Sequence, residues 1–501
     1  MGSATVAVIG AGAMGAGIAQ VAAAAGHPVL LQDTRGGAAA AAVAQVRGMF
    51  EKLAAKGKMP AQAAAEAGSR LGAADTMDEV ARAGVVIEAI VEELEAKRRT
   101  FAELEELVSP ACLLATNTSS LSLPAIARAL KSPQRLVGMH FFNPAPLMEL
   151  VEVVGSVATD AECLARTEAL ARAWGKSPVR ARATPGFIVN RVARPFYAEG
   201  LRLLAEGAAD AATLDAVLRE AGGFRMGPLE LTDLIGQDVN FTVTRTVWES
   251  FYFDPRFAPS LAQQELVEAG WLGRKSGRGF YEHGEGGATI SPRTEPPAPK
   301  PDRIALTGQQ DLAEALARRL ESGGIEVVLD PHLPTDLVLH VSDGRTAAAL
   351  ERHPVGNARN QPTVVVDLAL DYAKAQRVAI AASPKCHESA CAVAIGALQA
   401  GGLAVSRLRD LPGLAVLRTM AMLANEAADA VHYGVANAAD VDFAMRKGVN
   451  YPIGPLQWAD AMGAARVLGV LDEVARYYGE SRYRASPLLR HLALSGGRFH
   501  E

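Results

Sequence analysis

Two short stretches carry side chains whose types and spacing could do chemistry. His140 closes the apolar run Leu136–His140, and Glu152 follows twelve residues later. Between them, Asn143-Pro144-Ala145-Pro146 can turn the chain back. The carboxylate could then hold one imidazole nitrogen and fix the tautomer, leaving the other nitrogen to move a proton. Such a pair suits removal of the hydroxyl proton of a secondary alcohol, a reaction that also needs a hydride acceptor. Alone, His140 would read as a satisfied core histidine; Glu152 and the second stretch point to a site.

That second stretch is Gly10-Ala11-Gly12-Ala13-Met14-Gly15, which fits G-x-G-x-x-G. It follows the β-branched run Thr5–Ile9, opens a helical pattern over Ala16–Ala25, and is followed by Asp33 at the end of the run Val29–Gln32. In that setting the motif marks a dinucleotide site. Gly10 permits the tight turn, Gly12 lets backbone approach a pyrophosphate at the helix N-terminus, and Gly15 lets helix and strand pack closely. Asp33 can accept both adenosine-ribose hydroxyls and would repel a 2′-phosphate, which selects NAD over NADP.

The elements that must position these groups alternate. Val85–Ile90, Leu113–Thr116 and Leu136–His140 are short apolar runs separated by helical patterns such as Ala38–Lys56. The pattern predicts a parallel sheet covered on both faces. After Pro185 the chain reads as nearly all helix to Tyr281, and the Pro- and Gly-rich Glu282–Pro301 reads as an extended linker. At 501 residues, with 49% hydrophobic and 21% charged residues, the chain is a globular protein of several domains. A net charge of -5 argues against bulk nucleic-acid or anionic-membrane binding. No run is long and apolar enough to span a bilayer, and no signal peptide is expected because a strand begins almost at once. Cys112, Cys163, Cys386 and Cys391 lack zinc-ligand spacing and read as reduced thiols of a cytoplasmic protein, with no metal site.

The chain also repeats itself. Pro185-Gly186-Phe187-Ile188-Val189-Asn190-Arg191 aligns with Pro412-Gly413-Leu414-Ala415-Val416-Leu417-Arg418, an offset of 227 that also places Glu199 on Glu426, Gly227-Pro228-Leu229 on Gly454-Pro455-Leu456 and Asp233 on Asp460. The helical domain is duplicated. Arg303–Gly308 echoes Thr5–Gly10, but Gln310 and Ala313 replace the second and third glycines of the turn. A β-carbon at those sites blocks close approach, so the second copy is expected to have lost the cofactor. The expected architecture is therefore an α/β Rossmann NAD-binding domain over 1–184, an all-α domain over 185–283, a linker over 284–301, a degenerate Rossmann-like unit over 302–411 and a second copy of the all-α domain over 412–501.

The chain resembles the L-3-hydroxyacyl-CoA dehydrogenases through Glu88-Ala89-Ile90-Val91-Glu92, Asn117-Thr118-Ser119-Ser120-Leu121, Met139-His140-Phe141-Phe142-Asn143-Pro144, Thr184-Pro185-Gly186-Phe187-Ile188-Val189-Asn190-Arg191 and Gly273–Tyr281. The resemblance covers about residues 1–283 fully and the remainder as a duplicated copy. It looks like the long form of the family, of the 3-hydroxybutyryl-CoA and 3-hydroxyadipyl-CoA type found in butyrate, fatty-acid and phenylacetate catabolism, with no hydratase domain ahead of it. It implies oxidation of an (S)-3-hydroxyacyl-CoA by NAD, with His140 and Glu152 as the catalytic dyad and Ser119 and Asn190 on the substrate oxygens. It further implies Glu92, Lys97 and Asn143 near the nicotinamide, Lys275 as a cofactor contact and Lys56 against coenzyme A. A solvated helix face stays open for Glu92 and Lys97, a solvated loop for Lys275 and a solubilising charge for Lys56. The second helical domain is expected to pack on the first as an internal pseudo-dimer, which leaves room for a homo-oligomer. Two rivals are another β-hydroxyacid dehydrogenase and a non-catalytic NAD-binding relative. The first would want a lysine near Asn190-Arg191, where there is none. The second conflicts with the intact His140, Glu152 and Asn190.

Overall fold

The computed structural model describes residues 4–284, 290–329, 337–353 and 362–500; part of the expected linker, 285–289, lies outside them. The chain divides into two compact units, Met1–Arg191 with Tyr433–Val449, and Val192–His432 with Asn450–Glu501.

The first unit is built on eight strands: β1 (Val6–Ile9), β2 (Val29–Gln32), β3 (Leu71–Ala74), β4 (Val85–Glu88), β5 (Leu113–Thr116), β6 (Leu136–Phe141), β7 (Leu150–Gly155) and β8 (Ser177–Arg182). Their spatial order is β3-β2-β1-β4-β5-β6-β7-β8, parallel except between β6 and β7. Strand alternation divides the core. Val6 and Val8 of β1 join Ile18, Leu31 and Phe50 on one face, and Ala7 and Ile9 join Val86, Phe101 and Leu104 on the other. Each Val, Ile, Leu or Phe side chain among them contributes about 1.5–3 kcal/mol when fully buried. The order reverses between β2 and β4, with β1 at the switch, and there the glycine turn opens the helix Ala13–Ala24.

The second unit carries β9 (Arg303–Thr307), β10 (Glu326–Val328), β11 (Val338–Val341), β12 (Thr363–Val366), β13 (Arg377–Ala382) and β14 (Ala404–Arg407) in the order β10-β9-β11-β12-β13-β14. Only β12 and β13 are antiparallel. This is a shortened copy of the first sheet, and the backbone repeats in detail. Gly186 and Phe187 have φ of 75° and 49°, and Gly413 and Leu414 have 72° and 48°. A positive φ is uncommon for Phe or Leu, so its recurrence marks one turn built twice.

The helices of the copies are exchanged. Helix Ala211–Glu220 of the first helical segment packs on β13, whereas its duplicate Ala438–Gly448 packs on β7 and β8. Matching backbone bonds seal both exchanges: Arg182 N donates to Val435 O at 2.8 Å, and Arg409 N to Ala208 O at 3.0 Å. Within the second unit, helix Arg194–Ala205 lies on helix Val416–His432, and the fully buried Arg418 bonds Glu199 at 2.6 Å. The linker residues 290–301 form no regular element and run along β14, with Glu295 N donating to Val405 O at 2.8 Å. Among the described residues no helix is long and apolar enough to cross a membrane, and no cluster of metal-ligating side chains occurs.

Candidate active site

Antiparallel pairing sets His140 of β6 directly beside Glu152 of β7. The turn through Asn143 and Pro144 makes that pairing, so the twelve-residue spacing is a register. His140 Nδ1 lies 2.6 Å from Glu152 Oε2, with His140 5% exposed and Glu152 fully buried. An ionised carboxylate only accepts, so Nδ1 carries the hydrogen and Nε2 is left as the basic atom. Glu152 Oε1 has a second task. It accepts the backbone N–H groups of Ile188 and Val189, both at 3.0 Å. Asn190 is the next residue, so the carboxylate that holds the imidazole also holds the turn that presents Asn190. The rings of Phe142 and Phe187 flank the imidazole at 4.6 and 5.8 Å between centroids.

Ser119 sits on the loop after β5, tied at both ends. Asn117 Oδ1 accepts the N–H of Phe141, the residue after His140, at 2.8 Å. Glu92 Oε1 accepts the N–H groups of Ser119 and Ser120 at 2.9 and 3.1 Å and the Thr118 hydroxyl at 2.6 Å. Burial alone would raise the Glu92 pKa; Lys97 and these donors outweigh it and leave it lowered. Lys97 is 1% exposed and bridges Glu88 at 2.6 Å and Glu92 at 3.2 Å. The solvated-face alternative for Lys97 therefore falls, and Glu92 is the brace of the Ser119 loop. Glu88, Thr116 and Asn117 carry this bracing and received no role from sequence. A glutamate ending an otherwise apolar strand, Val85–Glu88, was the signal for the first of them.

The glycine turn fits a dinucleotide. A β-carbon on Gly10 would meet Ala89 O at 2.5 Å, and one on Gly15 would meet Gly10 O at 1.8 Å, whereas one on Gly12 would meet nothing within 4 Å. The turn is closed where strand and helix pack and open at Gly12, where a pyrophosphate would lie. In the second copy the helix starts one residue earlier, with Gln309 as N-cap, where the first helix has Gly12. Gln310, the counterpart of Gly12, thus becomes the first helical residue and brings a side chain to the open place.

Asp33 ends up more occupied than the sequence suggested. Its Oδ2 accepts Ala11 N at 2.8 Å and Arg35 Nη2 at 3.0 Å, and its Oδ1 accepts Arg35 N at 2.9 Å and Arg35 Nε at 3.0 Å. The Arg35 guanidinium holds the carboxyl down at about 2. With about four acceptor positions on a carboxylate, a ribose can be held only when the exposed Arg35 side chain lets go. The remaining expected contacts lie on several elements. Met14 is on the first helical turn, Asn143 is exposed beside the dyad, and Lys56 is exposed at the C-terminal end of helix Ala38–Ala55. Lys275 belongs to the second compact unit, where it pairs with Asp238 at 2.6 Å.

A family model described as 3-hydroxyacyl-CoA dehydrogenase, NAD binding domain, matches residues 5–184. Its C-terminal-domain partner matches twice, over 186–283 and 413–499. A model described as the 3-hydroxybutyryl-CoA dehydrogenase reduced Rossmann-fold domain matches 339–412. The chain is 44% identical over 98% of its length to 3-hydroxyadipyl-CoA dehydrogenase of Escherichia coli, covering 97% of that protein. It is 40% identical over 56% of its length to a probable 3-hydroxybutyryl-CoA dehydrogenase of Bacillus subtilis, covering 96% of it. A crystal structure described as 3-hydroxybutyryl-CoA dehydrogenase from Escherichia coli superposes with a TM-score of 0.90 at 43% identity, covering 99% of this chain and 100% of that one.

Proposed function

The chain belongs to the 3-hydroxyacyl-CoA dehydrogenase family, an NAD-dependent group of enzymes, and from that premise we propose that His140, Glu152, Ser119 and Asn190 carry its reaction. The substrate is an (S)-3-hydroxyacyl-CoA and the product the 3-oxoacyl-CoA. Bound NAD supplies a hydride acceptor, held by the turn Gly10–Gly15 and by Asp33. His140 Nε2 takes the hydroxyl proton, and Glu152 stabilises the imidazolium through Nδ1. Ser119 and Asn190 donate to the substrate oxygens. Glu92 and Lys97 act one step back, by fixing the Ser119 loop, and Lys56 offers an exposed cation to the phosphates of coenzyme A. The single observation that supports this reading most is the 2.6 Å contact of His140 with the buried Glu152.

His140→Gln tests it. Turnover of NAD with 3-hydroxybutyryl-CoA should fall by about 10²–10⁴-fold while NADH binding is kept. Near-normal turnover would sink the assignment. For the acyl group, full-length relatives are named for both 3-hydroxyadipyl-CoA and 3-hydroxybutyryl-CoA. Ranking kcat/KM across an acyl-CoA panel decides between them. The proposed setting is cytoplasmic, a reading that rests on four cysteines in 501 residues without the density of a disulfide framework.

The second half acts as a built-in partner of the first. Support comes from the exchanged helices, since Gly448 of the second copy packs so closely that a β-carbon there would meet Leu150 at 2.7 Å and Val189 at 3.1 Å. Val189 is one of the residues that bind Glu152. Ending the chain after residue 284 should therefore yield an aggregating or dimerising protein, by light scattering; a soluble monomer of unaltered activity counts against the pseudo-dimer.

A further inference from the structure

The second unit holds a cavity of about 970 Å³ that the dehydrogenase reaction does not use. It opens at the carboxyl ends of the strands of the second sheet, between the first turn of helix Gln310–Ser322 (Asp311, Leu312) and the segment that follows β12 (Leu368–Asp371). The strand order β10-β9-β11 reverses there. In open α/β sheets such switch points are where ligands bind. The cavity is the counterpart, by descent, of the crevice at the first glycine turn. Asp311 and Leu312 stand where the first copy has Ala13 and Met14, and Leu368, Ala369 and Leu370 stand where it has Phe141, Phe142 and Asn143.

The differences between the copies say what it could hold. Gln310 occupies the place that Gly12 leaves open, and Asp311 adds an anion at the helix start, so a pyrophosphate is disfavoured on both steric and electrostatic grounds. Leu370 in place of Asn143 removes a polar contact, and Ala369 in place of Phe142 enlarges the space. Leu312, Leu368, Ile453, Trp458 and Met462 supply an apolar lining, with Trp458 only 4% exposed. Among the described residues, every charged residue at the rim has a partner within the protein. Asp311 pairs with Arg466 at 2.7 Å, Asp371 with Lys374 at 2.9 Å, Arg219 with Glu230 at 2.7 Å and Glu220 with Arg377 at 3.0 Å. A site of this size, mostly apolar and internally neutralised, suits an uncharged ligand.

We propose that the degenerate Rossmann crevice of the second copy is a binding site for a small uncharged apolar molecule built on an aromatic ring, independent of the NAD site.

The test uses the full chain and the neutral fluorophore N-phenyl-1-naphthylamine, whose emission rises in apolar surroundings. Saturable enhancement with one site per chain is expected, unchanged by excess NAD and 3-hydroxybutyryl-CoA. Ala461→Trp, which fills the cavity, should weaken the probe at least tenfold while NADH binding stays within twofold. Leu370→Asp, which sets an unpaired charge in the lining, should do the same and guards against one variant failing to fold. Enhancement that never saturates, that NAD or 3-hydroxybutyryl-CoA displaces, or that neither folded variant weakens would overturn the proposal.

Discussion

In the first sheet Glu152 divides its oxygens between His140 Nδ1 and the N–H groups of Ile188 and Val189. In the second sheet the offset of 227 puts Asp367 in the place of His140 and Ala379 in the place of Glu152. Asp367 N still pairs with Ala379 O, at 2.9 Å. The carboxylate has moved across the pair, and it still holds the same turn: Asp367 accepts Ala415 N at 2.9 Å, Val416 N at 2.7 Å and Leu417 N at 3.2 Å. The comparison separates two duties that one residue combines in the first copy. A buried carboxylate under the Pro-Gly turn belongs to the fold, because it satisfies helix-start N–H groups that have no other partner. The imidazole and the Asn190 amide are the groups proposed for the reaction, and both are gone from the second copy.

The sharpest break of that comparison exchanges the polar residue. Asn190→Leu, which installs the second copy's residue in the first, should lower kcat/KM by about 10²–10³-fold, as loss of an oxyanion donor does. The reverse change, Leu417→Asn, should leave activity within twofold. Steady-state rates on both variants check it, and equal losses would mean that the copies do not divide labour as described.

A smaller effect is expected from Asp367→Ala. It strands buried N–H groups at a cost of about 1–3 kcal/mol each, so the second unit should melt earlier while activity below the transition is kept. The pH dependence has a defined sign. Burial raises the Asp367 pKa to about 6 against the four backbone N–H groups that lower it. A raised folded-state pKa contributes stability that is complete below the ordinary aspartate value near 4 and is lost as pH rises through about 6. Thermal melting of the wild type and Asp367→Ala across that window should show the slope in the first and a weaker one in the second.

Much of this was legible in the residues. The glycine turn and the acidic residue after it are local devices, forced by what a β-carbon would strike. The duplication was legible because one ungapped offset carries Pro185 to Asp233, though extending it upstream to His140 and Asp367 was needed to see the moved carboxylate. Glu92 and Lys97 are ambiguous in sequence because a run of charged residues, Glu92, Glu93, Glu95, Lys97, Arg98 and Arg99, reads as a solvated face. The strand-end Glu88, itself buried, draws Lys97 inward, where it also meets Glu92. The exchange of Ala211–Glu220 and Ala438–Gly448 left no local trace. An Ala-rich amphipathic helix does not record which sheet it covers, and the pairing is set by contacts far apart in the chain, 157 residues for Glu220 with Arg377 and 251 for Tyr433 with Arg182. The Arg35 clamp on Asp33 is local, two positions on, but the dinucleotide motif specifies only the acidic residue and not the cation beside it.

The central claim is one working cofactor site in a chain of two copies, and calorimetric titration of NADH into the full chain tests it most directly. The account predicts one NADH bound per chain, abolished by Gly12→Val and untouched by Gln310→Gly. Two NADH per chain, or one that survives Gly12→Val, would contradict it.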